Sequence, residues 1–599
     1  MSRIFNHEMP FGSQLTDGGV RFRLYAPAAS RAEVELDEAA GKHRSPLQSL
    51  GAGWFEATLR GARAGTRYAF LLDGAQTPIP DPASRFQPDG VHGSSVVVDP
   101  SAFAWPAEAW PGRPWAEHVF YELHVGTFTP EGTYVAAQSK LAYLAELGVT
   151  ALELMPLAEI PGTRNWGYDG VLPFAPTRNY GTPDELKAFI AAAHGKGLAV
   201  YLDVVYNHFG PEGNYLHGYA PTFYTDRHVT PWGAAIDVEA AERSDVRAFF
   251  IENALYWTQE YRFDGLRFDA VHAIYDGADR HFLRELARTL HERSDRPVHL
   301  VLENELNEAS LLEEAFRAQW NDDEHHVMHV LATGERDGYY ADYADDTVAR
   351  FGRTLTQGFA YQGEFSNHKG AERGTSSLRL PLGAFVTFLQ NHDQIGNRPF
   401  GDRIASIAPD NVLRALLAVY MLAPSPPLLF MGEEWAAGTP FLFFCDFEPE
   451  LARAVTEGRR NEFRSFAAFA DPAQRDKIPD PSALETFSRS KLQWEERERE
   501  PHRTWLTYYR RLLALRRIEI APRIAGIRAA AASFEVHAPS GLRAHFRLED
   551  GHTLVLEANL GNTEQRSLHR LSSGAVIFST HGPSSNSMAP PWSARWTLD

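Results

Sequence analysis

Leu198-Ala-Val-Tyr-Leu-Asp-Val-Val205 is a nearly unbroken apolar run that leads into Asp203-Val-Val-Tyr-Asn-His208. A short run rich in β-branched residues reads as a strand buried on both faces, as parallel sheets require. A loop excursion follows, then a helical pattern over 246–261, then a second strand over 264–268. The same alternation extends both ways. Upstream, strands are predicted over 119–125 and 151–155, with helices over 138–147 and 184–195. Downstream, strands are predicted over 298–302, 316–320, 384–389 and 427–431. Eight strands in one βα succession predict an α/β fold, a (β/α)8 TIM barrel over 109–523. A short excursion after strand three (209–244) and inserted loops (333–380) are expected to decorate it.

The barrel is flanked by β structure. Short alternating runs over 19–25, 32–36, 54–59 and 66–72, separated by Gly-rich turns, predict an N-terminal immunoglobulin-like, early-set β-sandwich over 1–108. The Pro-, Ala- and Trp-rich segment 101–115 reads as a linker. After a helical stretch over 504–517, runs over 533–537, 542–548 and 553–560 predict a C-terminal β-sandwich over 524–599.

The 599 residues are 44% hydrophobic and 23% charged, which excludes a disordered or fibrous chain. No run approaches the roughly 18–20 apolar residues of a membrane span. The first residues have no apolar signal-peptide core, so a cytoplasmic protein without membrane partners is expected. Cys445 is the only cysteine, which excludes an internal disulfide and a cysteine-built metal cluster. The net charge of −19 argues against nucleic acid as a partner. The 13 Trp and 22 Tyr are core formers first, but some are suited to a flat, neutral ligand such as a sugar ring.

Chemistry in this fold sits at the C-terminal ends of the strands. Four of those ends carry acids: Asp203-Val-Val-Tyr-Asn-His208, Gly265-Leu-Arg-Phe-Asp269, Leu300-Val-Leu-Glu-Asn-Glu305 and Phe388-Leu-Gln-Asn-His-Asp393. One acid after a strand is commonplace as a helix cap; four at one barrel mouth are not. Residues i and i+2 of a strand share a face, so Arg267 and Asp269 point together into the barrel. An arginine keeps a neighbouring carboxylate anionic, as a nucleophile requires. A general acid needs a raised pKa, and Glu303 is the candidate. Two such carboxylates roughly 5 Å apart perform retaining glycoside hydrolysis. Glu303 and Glu305 share a parity, so alternation does not separate them.

The four strand-end motifs resemble the signature regions of the α-amylase superfamily of glycoside hydrolases. The resemblance implies Asp269 as nucleophile, Glu303 as proton donor and Asp393 as the acid that stabilises the transition state. It implies Arg267, His208 and His392 as contacts to the sugar in subsite −1. Tyr168, in Asn165-Trp-Gly-Tyr-Asp169, resembles the tyrosine stacked under that sugar. Asp203 is expected to orient Arg267. Asn207 either fixes its loop by hydrogen bonds or, as in some relatives, binds calcium. No cofactor is expected, and no residue is assigned to a metal.

Other stretches narrow the match. Asp81-Pro-Ala-Ser-Arg-Phe-Gln-Pro-Asp-Gly-Val-His-Gly93, Thr333-Gly-Glu-Arg-Asp-Gly-Tyr-Tyr340 and Leu389-Gln-Asn-His-Asp-Gln-Ile-Gly-Asn-Arg398 resemble the maltooligosyltrehalose trehalohydrolases, as do Phe430-Met-Gly-Glu-Glu-Trp435 and Gly458-Arg-Arg-Asn-Glu-Phe463. That group implies hydrolysis of the α-1,4 bond next to the terminal trehalose of maltooligosyltrehalose, with α-1,4-glucan oligosaccharides as the other partners. His272, Asp322, Asp323, His325, His326, Gln394 and Asn397 are then expected substrate contacts. For 322–326 the competing reading is an acid-rich helix N-terminus. Two alternatives remain at this point. One is a branching or debranching enzyme of the same superfamily. The other is a carbohydrate-binding scaffold that has lost its chemistry, which the presence of all three acids disfavours.

Overall fold

The computed structural model describes residues 3–38, 41–239, 244–277, 281–465, 467–566, 574–582 and 588–599. Residues 240–243 of the expected excursion, and 567–573 and 583–587 of the expected C-terminal domain, lie outside the described residues.

Eight parallel strands close on themselves: Phe120–Leu123, Ala151–Leu154, Ala199–Val204, Gly265–Phe268, His299–Leu302, Ala318–Trp320, Phe385–Phe388 and Pro427–Phe430. Each lies inside its predicted segment. The last pairs with the first through Leu429 opposite Tyr121. Phe120, Tyr201, Val301, Trp320, Val386, Phe388 and Leu428 fill the barrel, with Ala151, Ala199 and Ala318 leaving room between them. Gly265 shows how tightly. A Cβ there would lie 2.2 Å from the Tyr201 ring and 2.3 Å from the His299 carbonyl oxygen. Leu266 and Phe268 face the outer core instead.

The segment 101–115 is more than a linker. Trp105 and Trp115 are both buried. Trp115 packs with the barrel interior and donates from its indole to the Gly383 carbonyl at 2.7 Å. Its Pro and Ala content supplies the turns, but the two indoles are large enough to anchor it in two cores.

In the N-terminal domain the strand Gly41–Gly51 pairs over 41–47 with Ala32–Glu38 and then turns to pair with Trp54–Leu59. It joins the two halves of a seven-stranded order. The sequence hides it because most of its side chains are exposed and polar. Phe11 meets Phe249 edge-on at 5.3 Å and docks the domain on the barrel.

The segment 333–380 is only partly loop. It holds the helix Thr347–Gln357, whose buried side contains Phe351 and Leu355. A Cβ on Gly352 would lie 2.3 Å from Phe534, so the C-terminal domain seats directly on this helix. That apolar stripe is too narrow to stand out in a polar segment. The C-terminal domain is a five-stranded antiparallel sheet with a two-stranded ribbon, and Trp596 donates to the Ala418 carbonyl on a barrel helix at 2.8 Å. Among the described residues no helix is long and apolar enough to cross a membrane.

Beneath the eighth strand, Glu434 accepts from Tyr143 at 2.9 Å and Tyr121 at 3.2 Å, and beside it Glu433 accepts from Tyr509 at 3.0 Å. Burial pushes both carboxyls up to about 7. A carboxyl raised on folding holds its proton in the folded state while the unfolded chain releases it. Its stabilisation is therefore complete below about 4.5 and lost as the pH rises to about 7. For Glu434→Gln, which cannot titrate, the melting-temperature deficit against wild type should shrink across that window. A deficit that stays constant would show that Glu434 is ionised throughout.

Candidate active site

Arg267 is the hub of the barrel mouth. It is 1% exposed, and its guanidinium lies 4.1 Å over the Trp320 ring. Nη1 donates to Asp203 at 2.6 Å and to Asp269 at 2.8 Å; Nη2 donates to Glu303 at 2.7 Å. Three strands thus converge on one planar cation, which fixes the separation and tilt of the carboxylates. Asp203 also accepts from the Tyr168 hydroxyl at 2.7 Å. Asn207 donates to the Asp269 carbonyl oxygen at 2.9 Å and to its carboxylate at 2.8 Å. These two bonds hold Asp269 in place.

Glu303 and Glu305 now separate. Glu303 accepts from Arg267 and from the Ala270 amide at 2.9 Å, facing the cleft. Glu305 turns outward to Lys369 at 2.6 Å and is 41% exposed. Burial holds the Glu303 pKa above the carboxylate range against the pull of Arg267, and the neighbouring Asp269 charge adds to it. Burial likewise raises Asp393, against the attraction of His392.

His392 sits on a carboxylate that sequence reasoning missed. Glu122 of the first strand accepts from the His392 amide at 3.0 Å and pairs with its ring at 2.5 Å. Burial alone would depress the imidazole; Glu122 reverses this and raises it to about 9. Tyr168 stacks on His392 at 5.1 Å, a flat aromatic floor beside the acids. His208 contacts the Tyr168 carbonyl at 3.1 Å and stacks on Trp232 at 5.2 Å. Trp232 is 47% exposed on the hairpin after strand three. A carboxylate cluster, a cationic bridge and open aromatic faces form a cleft for an uncharged, ring-shaped substrate.

Family models match each region: Carbohydrate-binding module 48 (Isoamylase N-terminal domain) over 10–102, Alpha amylase, catalytic domain over 107–225, and a domain of unknown function over 529–596. The malto-oligosyltrehalose trehalohydrolase of Deinococcus radiodurans is 46% identical over 83% of this chain and 81% of its own length. The chain belongs to the malto-oligosyltrehalose trehalohydrolase family, within the α-amylase glycoside hydrolases. The Saccharolobus solfataricus member is 38% identical over 85% of this chain and 87% of its own length. A solved Salmonella typhimurium structure aligns at a TM-score of 0.93 and 44% identity, covering 99% of this chain and all of the other.

Within the family frame, the structure divides the remaining expected contacts. Asp322 and His326, one helical turn apart, are half-buried on the cleft side of the helix Asp322–Thr333. Burial, with Glu303 and Asp393 close by, drives Asp322 far above the carboxylate range. His272 is partly exposed beside Glu305 at 3.6 Å.

Asp323 and His325 are corrections. Asp323 is fully buried and accepts from Asn307, Tyr343, Arg373 and the Ala360 amide, all at 2.5–2.8 Å. It has no capacity left for a sugar hydroxyl. His325 is 1% exposed and bonded to the Leu389 carbonyl at 2.8 Å. Asp323 lies off the face shared by 322 and 326, whereas His325, one turn from 322, is covered by the Phe388 ring and tied to the Leu389 carbonyl. Gln394 is half-buried, with its amide capped by Asn391 at 2.9 Å. Asn397 donates to Asp393 at 3.0 Å.

Proposed function

We propose that this chain is a retaining glycoside hydrolase that cleaves the α-1,4 bond next to the terminal trehalose of maltooligosyltrehalose, releasing trehalose and a shortened maltooligosaccharide. The observation that carries the reading is the single guanidinium joining Asp269 and Glu303 in a chain of this family. The bridge is short enough for the roughly 5–5.5 Å carboxylate spacing of retaining enzymes.

Asp269 attacks the anomeric carbon of the glucose in subsite −1, while Glu303 gives its proton to the departing trehalose oxygen. A β-glycosyl-enzyme forms. Glu303, now a carboxylate, removes a proton from water; the water oxygen bonds to the anomeric carbon, Asp269 leaves, and the α configuration is restored. Arg267 aligns Asp269 through the hydrogen bond from Nη1. Charged His392, with Asp393, binds the hydroxyls of the sugar as it flattens, over the Tyr168 ring. Asp203 and Asn207 act through Arg267 and Asp269. His208, Asp322, His326, His272, Gln394 and Asn397 line or support the cleft. The lone buried Cys445 fits a reducing, cytoplasmic setting.

The direct test compares kcat/KM on a trehalose-capped maltooligosaccharide and on the uncapped chain of equal length. The capped substrate should be preferred, and the fresh reducing end should appear as the α anomer. Equal use of the two, or a β anomer, would overturn the reading.

A pH prediction follows from Glu122. His392 carries its charge up to about 9 because Glu122 faces it. Glu122→Gln removes that support, so burial pulls the imidazole down. In the wild type the loss of the Glu303 proton sets the alkaline limb of kcat/KM; in Glu122→Gln the limb should move to lower pH, because the buried imidazole then loses its charge before Glu303 loses its proton. An unmoved limb would remove the His392 charge from the mechanism.

A further inference from the structure

The stretches 333–340 and 389–398, which carry much of the resemblance to the trehalohydrolases, meet in space. Arg398 donates from Nη1 and Nη2 to the two oxygens of Glu335, at 2.9 and 3.0 Å. Glu335 also pairs with His329 at 2.8 Å. The His329 ring lies flat on Tyr340, with centroids 4.2 Å apart and planes 12° apart. Tyr340 in turn touches Tyr339 at 4.5 Å. Tyr339 is 39% exposed and packs against His326 at 4.8 Å, on the helix that carries Asp322.

Glu335 is 38% exposed, and ion pairs at that exposure contribute little to stability. What this one does supply is orientation. A bidentate pair fixes the plane of the carboxylate, the carboxylate fixes the imidazole, and the imidazole fixes the tyrosine laid against it. The chain of contacts ends on a half-exposed aromatic face beside His326, one helical turn from Asp322.

We propose that Glu335 and Arg398 are positioning residues for the leaving-group side of the cleft, holding Tyr339, through the buried Tyr340, as a wall against the glucose rings of the trehalose unit. The identity of that unit rests on the proposed function; the positioning role does not. Neither residue touches the reacting atoms. Their loss should leave the −1 chemistry intact and weaken capture of a sugar leaving group.

The test uses full-length Glu335→Gln, Arg398→Gln and the double variant. Each is assayed on the glucan that wild type prefers and on α-glucosyl fluoride, whose leaving group makes no sugar contacts. Each single variant should lose about tenfold or more in kcat/KM on the glucan, mainly through KM, with fluoride turnover within about twofold. The double variant should be no worse than the singles, because one pair is being broken. Equal losses on both substrates, or no loss on the glucan, would overturn the proposal. A wild type with no preference for the capped glucan would instead overturn the proposed function and leave the glucan-to-fluoride comparison valid.

Discussion

Asp269→Ala should turn over neither the natural glucan nor an activated glycosyl donor at more than about 10⁻⁴ to 10⁻⁶ of the wild-type rate, the scale of losing a nucleophile that works as a unit with its partners. Glu303→Ala fails differently. It still forms the glycosyl-enzyme from a donor whose leaving group needs no proton, and the intermediate accumulates because water has lost its base. Azide, which needs no base, restores turnover in the Glu303 variant and gives an α-glycosyl azide. In the Asp269 variant any azide product is β, since azide then attacks the substrate directly from the open face. A β product from the Glu303 variant, or an α product from the Asp269 variant, would mean that the two roles are reversed.

Arg267→Lys keeps the charge and loses the geometry. A lysine ammonium is a point cation on a flexible stem and cannot hold Asp203, Asp269 and Glu303 in one plane. A displacement of about 1 Å at the reacting groups is enough for roughly a 100-fold loss, so kcat/KM should fall at least that far. The protein should still fold, because the three carboxylates keep a buried cation. Arg267→Ala is the contrasting case. It strands those carboxylates, and leaving a buried charge unpaired costs about 3–5 kcal/mol. Near-normal turnover by a folded Arg267→Lys protein would remove Arg267 from the site.

The barrel was legible because parallel strands are buried on both faces and therefore appear as short apolar runs with acids at their ends. The i, i+2 spacing of Arg267 and Asp269 likewise foretold that they point together, and they meet at 2.8 Å. The limits of the sequence are equally specific. Glu303 and Glu305 share a strand parity, and only the turn after the fifth strand sends one to Arg267 and the other to Lys369. Glu122 lies 270 residues from His392 and was passed over, although an acid at an inward position of the first strand was a signal. Asp322 and Asp323 are neighbours in sequence, yet one is half-buried and the other is consumed by five donors. Helical phase decides that, and the acid-rich composition of 322–326 conceals it. The exposed strand Gly41–Gly51 and the helix Thr347–Gln357 were missed for one reason: periodicity is visible only where an element buries a broad apolar face.

The central claim is that this cleft releases trehalose by hydrolysis. The most direct measurement is to incubate the protein with a trehalose-capped maltooligosaccharide and follow the sugars by chromatography and proton NMR. Trehalose and a maltooligosaccharide shorter by that unit should appear in equal amounts, with every remaining linkage α-1,4. New α-1,6 linkages, or shortening of the chain without free trehalose, would contradict it.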